Sequence, residues 1–154
     1  MGDDIRDELE DYKDEAYFEA RETDRAFDSR LLHECITILR ARKPIVLSRQ
    51  DSVTDAMRAM KAEHRGAVLV TEDGTPATTT LGIFTERDVL FRVVDGGRNP
   101  ATLAVGDVMT TDVEALLDTQ TVAEALQLMR VGGFRHVPVL DAASRPAFVV
   151  SVKD

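Results

Sequence analysis

The chain has 154 residues, 44% hydrophobic and 31% charged, the balance of a soluble globular protein long enough to bury a core. A formal net charge of −9 argues against general nucleic-acid affinity, and no run of apolar residues approaches the length of a membrane span. The single cysteine, Cys35, rules out an internal disulfide, and Met1 to Glu10 is acidic where a signal peptide would be basic and then apolar, so the expected location is cytoplasmic.

Residues 1–30 are dense in Asp and Glu, with Ile5, Leu9, Tyr12 and Ala16 at helical spacing and Phe18 and Phe27 beyond them. This predicts an acidic N-terminal helix whose apolar stripe needs a surface to cover it. In "HECITIL" Cys35 falls on the apolar side and reads as a small buried hydrophobe.

From there the chain repeats itself. "SVTDAMRAM" at 52–60 matches "TVAEALQLM" at 121–129 at an offset of 69, which also lays "ITIL" at 36–39 on "VGDV" at 105–108. A longer first loop, "TEDGTPATTT" against "LDAASRP", changes the offset to 66, and Thr85 and Asp88 then fall on Ser151 and Asp154. Each copy predicts a strand (45–48; 113–117), a helix started by Asp51–Ser52 or by Thr119–Thr121, and a second strand (67–71; 136–140). A hairpin loop and a third strand follow (81–84; 147–150). Val53, Met57 and Met60, or Val122, Leu126 and Met129, are expected on one helix face. In the first copy a helix from Arg87 to Val94 ends at "DGG"; the second copy, 99–154, lacks this last helix.

The fold class is therefore α+β: two β-α-β-β-α repeats, 31–98 and 99–154, packed about a pseudo-two-fold axis because neither is large enough to bury a core alone. Thr85 with Asp88 has two readings. A hydroxyl and an acid three residues apart form a capping box, and the same acid can accept both hydroxyls of a ribose while the helix start takes phosphate. Arg87 and Lys153 stand beside the two acids and either neutralise phosphate or point to solvent. Arg135 and His136 at a strand start either face a phosphate or pair with a surface acid.

"VGDVMT", "GIFTERDV" and "GFRHVPVLD" carry a resemblance to the tandem cystathionine-β-synthase (CBS) domain pair, over about residues 30–154. The resemblance implies a disc-like module with two clefts for adenosine-containing ligands. The hydroxyl (Thr85, Ser151) would contact phosphate or ribose and the acid (Asp88, Asp154) both ribose hydroxyls. The base slot would be walled by Ile45, Val46, Gly66, Ala67, Val68 and Ile83, and by Val113, Arg135, His136, Val137, Pro138 and Val149. Most of these are equally explained as core.

No Walker sequence, nucleophile elbow or catalytic set is present, and His33, Cys35, His64 and His136 lack metal-ligand spacing. The expectation is a regulatory module rather than an enzyme, needing no cofactor. It would sense AMP, ADP, ATP or another adenosyl ligand and act on a protein partner of unknown identity. It would pair as a homodimer through Met57, Met60 and Met129. The alternative is a structural or dimerising module with no bound ligand.

Overall fold

The structure, a computed structural model, describes residues 29–39 and 42–152. The acidic segment 1–28, Lys153 and Asp154 lie outside the described residues. The chain divides into two compact units, Met1–Leu32 and His33–Asp154, and every element below belongs to the second.

In the first repeat, β1 (Val46–Ser48) leads through α1 (Val53–Glu63) to β2 (Ala67–Thr71), and a hairpin loop returns as β3 (Thr80–Thr85). β1 is parallel to β2, as a helical crossover allows, and β3 is antiparallel to β2. The second repeat has the same order: β4 (Leu116–Leu117), α3 (Val122–Gly132), β5 (His136–Leu140) and β6 (Pro146–Ser151). Even the irregularities match. Register slips between Val70 and Thr71 in one hairpin and between Val139 and Leu140 in the other.

Both crossover helices begin with reciprocal capping boxes. Ser52 and Asp55 close one, Thr121 and Glu124 the other, each satisfying two otherwise orphaned N–H groups. Both end in a left-handed residue, Gly133 at φ 66° and His64 at φ 52°. Glycine takes that conformation freely, whereas histidine carries a steric cost there.

β2 is buried on both faces. Val68 and Val70 pack with Val53, Ala56 and Met60 of α1, while Ala67 and Leu69 join Ile83, Val113 and Val149 in a cluster where the two sheets meet. The second core gathers Val122, Ala125 and Met129 with Val137, Val139 and Val150.

Several sequence expectations are corrected. The buried seams run through Ala56 and Ala125, whose small side chains let the helices sit close on the sheets. Met60 and Met129 are therefore core residues, and Met57 and Leu126 lie on the exposed flanks. Cys35 is exposed: Ile36 takes the core position, and its neighbour, in a bridge to Thr121, points the other way and donates Sγ–H to the Asp118 carbonyl at 3.0 Å. The strand expected from Val113 shortens to Leu116–Leu117, because Val113 packs against the inter-sheet cluster. The helix after β3 is one α-turn, α2 (Glu86–Asp88), continued by a π-helix over Val89–Val94. No helix among the described residues is long and apolar enough to cross a membrane.

Candidate functional site

Thr85 and Asp88 form a complete cap. Asp88 Oδ2 accepts the Thr85 N–H at 2.8 Å and its hydroxyl at 2.9 Å, while the Asp88 N–H donates to Thr85 Oγ1 at 3.4 Å. The other oxygen, Oδ1, lies 3.4 Å from the Thr110 hydroxyl and 3.4 Å from Arg92 Nε. Arg92 also donates to the carbonyls of Val108 at 2.8 Å and Met109 at 2.7 Å. The buried carboxylate thus ties the start of α2 to the segment of the second repeat that leads into β4. Arg87 is exposed beside it.

The β-strand ends build a second arrangement. The Glu86 N–H donates to the Gly66 carbonyl at 3.1 Å, and at the matched place in the other repeat the Val152 N–H donates to the Arg135 carbonyl at 3.2 Å. Register pairs Ala67 with Thr85 and His136 with Ser151, so each hydroxyl stands opposite a strand start. The two repeats meet closely here. A Cβ added to Gly66 would lie 2.8 Å from His136 Cε1 and 3.3 Å from Glu86 Oε2, so only glycine leaves the imidazole its place.

Around these ends opens a cavity of about 1010 Å³. Gly66, Ala67, Arg135, His136, Val149 and Ser151, all candidates from the sequence, line it. So do Met57, Met60 and Val89 as apolar surface, and Arg42, Arg58, Lys61, His64 and Arg65 as further basic groups. Among the described residues the wall therefore carries seven basic side chains and one carboxylate, Glu86. In a chain of net charge −9 this is a local reversal of sign.

The other candidates lie elsewhere. Val68, Val137 and Pro138 are fully buried, and Ile83 and Val113 belong to the inter-sheet cluster. Ile45 extends β1, its carbonyl accepting the Leu69 N–H at 2.8 Å, and Val46 is half-buried within β1. Thr85 and Asp88 are next to the wall residues Glu86 and Val89 without lining it. The basic residues of α1 were missed by sequence reasoning. Their signal was the stripe Thr54, Met57, Arg58 and Lys61 at helical spacing, on a face that reads as ordinary solvated surface until the fold turns it toward the cavity.

A family profile described as CBS domain matches residues 38–95 and 105–154. The chain is 36% identical over 92 residues to a mitochondrial CBS domain-containing protein of Arabidopsis thaliana, covering 58% of this chain and 44% of that one. It is 35% identical over 103 residues to a second CBS domain-containing protein of Arabidopsis thaliana, covering 67% of this chain and 19% of that protein. The chain thus spans less than half the length of these two relatives. Among solved structures, a CBS-domain containing protein of Agrobacterium tumefaciens superposes with a TM-score of 0.67 at 29% identity, over 78% of this chain and 94% of that one. A CBS domain protein of Pyrobaculum aerophilum complexed with AMP superposes with a TM-score of 0.68 at 20% identity, over 78% and 88% of the two chains, a likeness of fold alone. With both repeats matched by the profile and the tandem arrangement visible in its two sheets, the chain belongs to the CBS domain family, as a CBS pair.

Proposed function

We propose that this CBS pair is a regulatory module that binds an adenine nucleotide or related adenosyl ligand between its repeats, without catalysing a reaction. The single observation that carries the reading is the cavity whose wall, among the described residues, holds seven basic side chains against one carboxylate. Both repeats supply those residues, so an anion held there links the two halves. A phosphate is the fitting anion: Arg135 offers a planar fork of donors, His136 and the Ser151 hydroxyl stand beside it, and Ala67, Val89 and Val149 offer apolar surface to a base.

Thr85 and Asp88 enter the proposal as the ribose contact of the first repeat. The ribose hydroxyls would take the places on Asp88 Oδ1 now held by Thr110 and Arg92. Ser151 would act likewise in the second repeat. The bound AMP of the Pyrobaculum aerophilum protein lends support, since the fold is shared. A ligand that binds one arrangement of the repeats better than another shifts the population toward it, which is how such a module would act on a partner or on a second copy of itself.

Calorimetric titration with AMP, ADP and ATP tests this. The wild type is expected to bind at least one of them, and Arg135→Ala to weaken that binding by about tenfold, the effect of losing a charge-assisted contact. A wild type that binds none of the three overturns the reading and leaves a structural module. That second reading has its own observation, the complete cap at Asp88, in which every contact is already made within the chain.

A further inference from the structure

Six of the seven basic residues of the cavity come from two places, with Arg42 apart from both, ahead of β1. Arg65, Arg135 and His136 stand at the strand starts, while Arg58, Lys61 and His64 belong to α1 and its C-terminal cap. On α1 the stripe from Thr54 to Lys61 extends roughly 10 Å along the axis at 1.5 Å per residue, longer than one phosphate. The only carboxylate close to it in the described ion pairs is Asp55, 3.7 Å from Arg58 in a solvent-exposed contact that a stronger anion displaces easily.

The internal repeat shows that this face is particular to the first helix. At the matched positions of α3 stand Leu126, Gln127, Arg130 and Gly133, so Arg58 and His64 have no basic counterparts. The contrast at the cap is informative. The second repeat ends its helix on Gly133, whereas the first puts His64 in the same left-handed conformation, at φ 52°, on the cavity wall. A side chain kept where glycine is less strained is a recognised mark of a functional position.

Building on the nucleotide reading above, we propose that Arg58, Lys61 and His64 form a second anionic subsite of the cavity, one that takes the outer phosphates of a polyphosphate. The strand-end residues hold the inner phosphate, and the α1 face holds what lies beyond it. The module therefore prefers nucleoside di- and triphosphates to monophosphates. One helix carries the subsite and the other does not, so the ligand enters in one orientation despite the pseudo-symmetry.

The test uses the full chain and three probes: ATP, AMP and inorganic tripolyphosphate. The wild type is expected to bind ATP at least about tenfold more tightly than AMP, the scale of one added charge-assisted contact. The double variant Arg58→Ala/Lys61→Ala is expected to lose roughly that factor for ATP and for tripolyphosphate, while AMP changes by less than about twofold. Both residues are exposed, so the double variant keeps its fold. His64→Gly should raise the melting temperature while weakening ATP and leaving AMP unchanged. Equal affinity of the wild type for AMP and ATP, or an equal loss of both in the double variant, overturns the subsite and leaves the nucleotide reading standing. Binding of tripolyphosphate that the double variant abolishes, with no nucleotide bound, upholds the subsite and overturns the adenosyl reading. No binding of any probe overturns both.

Discussion

Ile36 and Val105 stand at matched positions 69 residues apart, and each is fully buried in the core of the other's repeat. Ile36 precedes β1 of the first repeat yet packs with Leu116, Val122 and Val137 of the second. Val105 precedes β4 of the second repeat and packs with Val53, Val68 and Phe84 of the first. Backbone bonds fix both exchanges: the Ile36 N–H donates to the Gln120 carbonyl at 2.7 Å, and the Val105 N–H to the Asp51 carbonyl at 2.8 Å. Each repeat thus depends on a segment lying outside its own sheet and crossover helix.

Ile36→Ala is therefore expected to cost about 3 kcal/mol and Val105→Ala about 2 kcal/mol, through lost burial and the cavities left behind. Because the exchange couples the repeats, both variants should melt in a single calorimetric transition, lowered by roughly 5–10 °C. Two resolved transitions, with each variant moving only one, would show the repeats to be independent.

The contacts of Asp88 and Arg92 predict a coupled loss. Arg92→Ala leaves the Val108 and Met109 carbonyls and Asp88 Oδ1 without the guanidinium, at about 1–3 kcal/mol. Asp88→Asn keeps an oxygen for the cap but removes the charge, at about 1 kcal/mol. In chemical denaturation the two should couple by at least about 0.5 kcal/mol, and additivity within about 0.3 kcal/mol would mean that the ion pair contributes nothing.

Two glycines should respond differently to alanine. At Gly82 the new Cβ would meet the Thr110 carbonyl oxygen at 2.6 Å and Met109 Sδ at 2.8 Å. Backbone must move there, in the bridge that joins Ile83 to Thr110, so Gly82→Ala is expected to cost about 2 kcal/mol or more. At Gly66 the obstacle is the His136 imidazole, which can rotate aside, so Gly66→Ala should lose less than about 1 kcal/mol and instead weaken phosphate binding. Equal destabilisation by both variants would remove His136 from the proposed site.

Acid should weaken the fold through particular carboxylates. The Thr78 hydroxyl, with the Thr75 N–H, holds the Asp73 carboxyl below its ordinary value of 3.8, and Thr121 and Gln120 hold Glu124 below 4.5. Lowered folded values mean that this stability is present above the unfolded values and is lost as pH falls through the folded ones. Melting temperature should therefore be flat from about pH 7 to 5 as far as these groups are concerned, and fall below about pH 4. Asp73→Asn should be less stable than wild type at pH 6, and the gap should narrow as pH falls below the ordinary carboxylate value of 3.8. A constant difference across that range would assign the loss to something other than ionisation.

The repeat, the strand order and the helix caps were legible in the sequence because each rests on local chemistry. Alternating apolar residues, Ser52 with Asp55, and Thr121 with Glu124 act within a few residues of themselves, and two copies of a pattern certify each other. The resemblance carried by "GIFTERDV" and "GFRHVPVLD" likewise lies in contiguous residues. What only the tertiary structure decided depends on contacts between distant parts of the chain. That Ile36 serves the second core, that Asp88 is held by Thr110 and Arg92, and that Met60 is buried while Met57 is not follow from how the two sheets meet. The basic cavity is of the same kind: Arg135 was a candidate from the sequence, but Arg42, and Arg58 with Lys61 on α1, read there as ordinary surface residues of an acidic chain. Packing of the repeats converges them, and the field at a point depends on distance through space and not along the sequence.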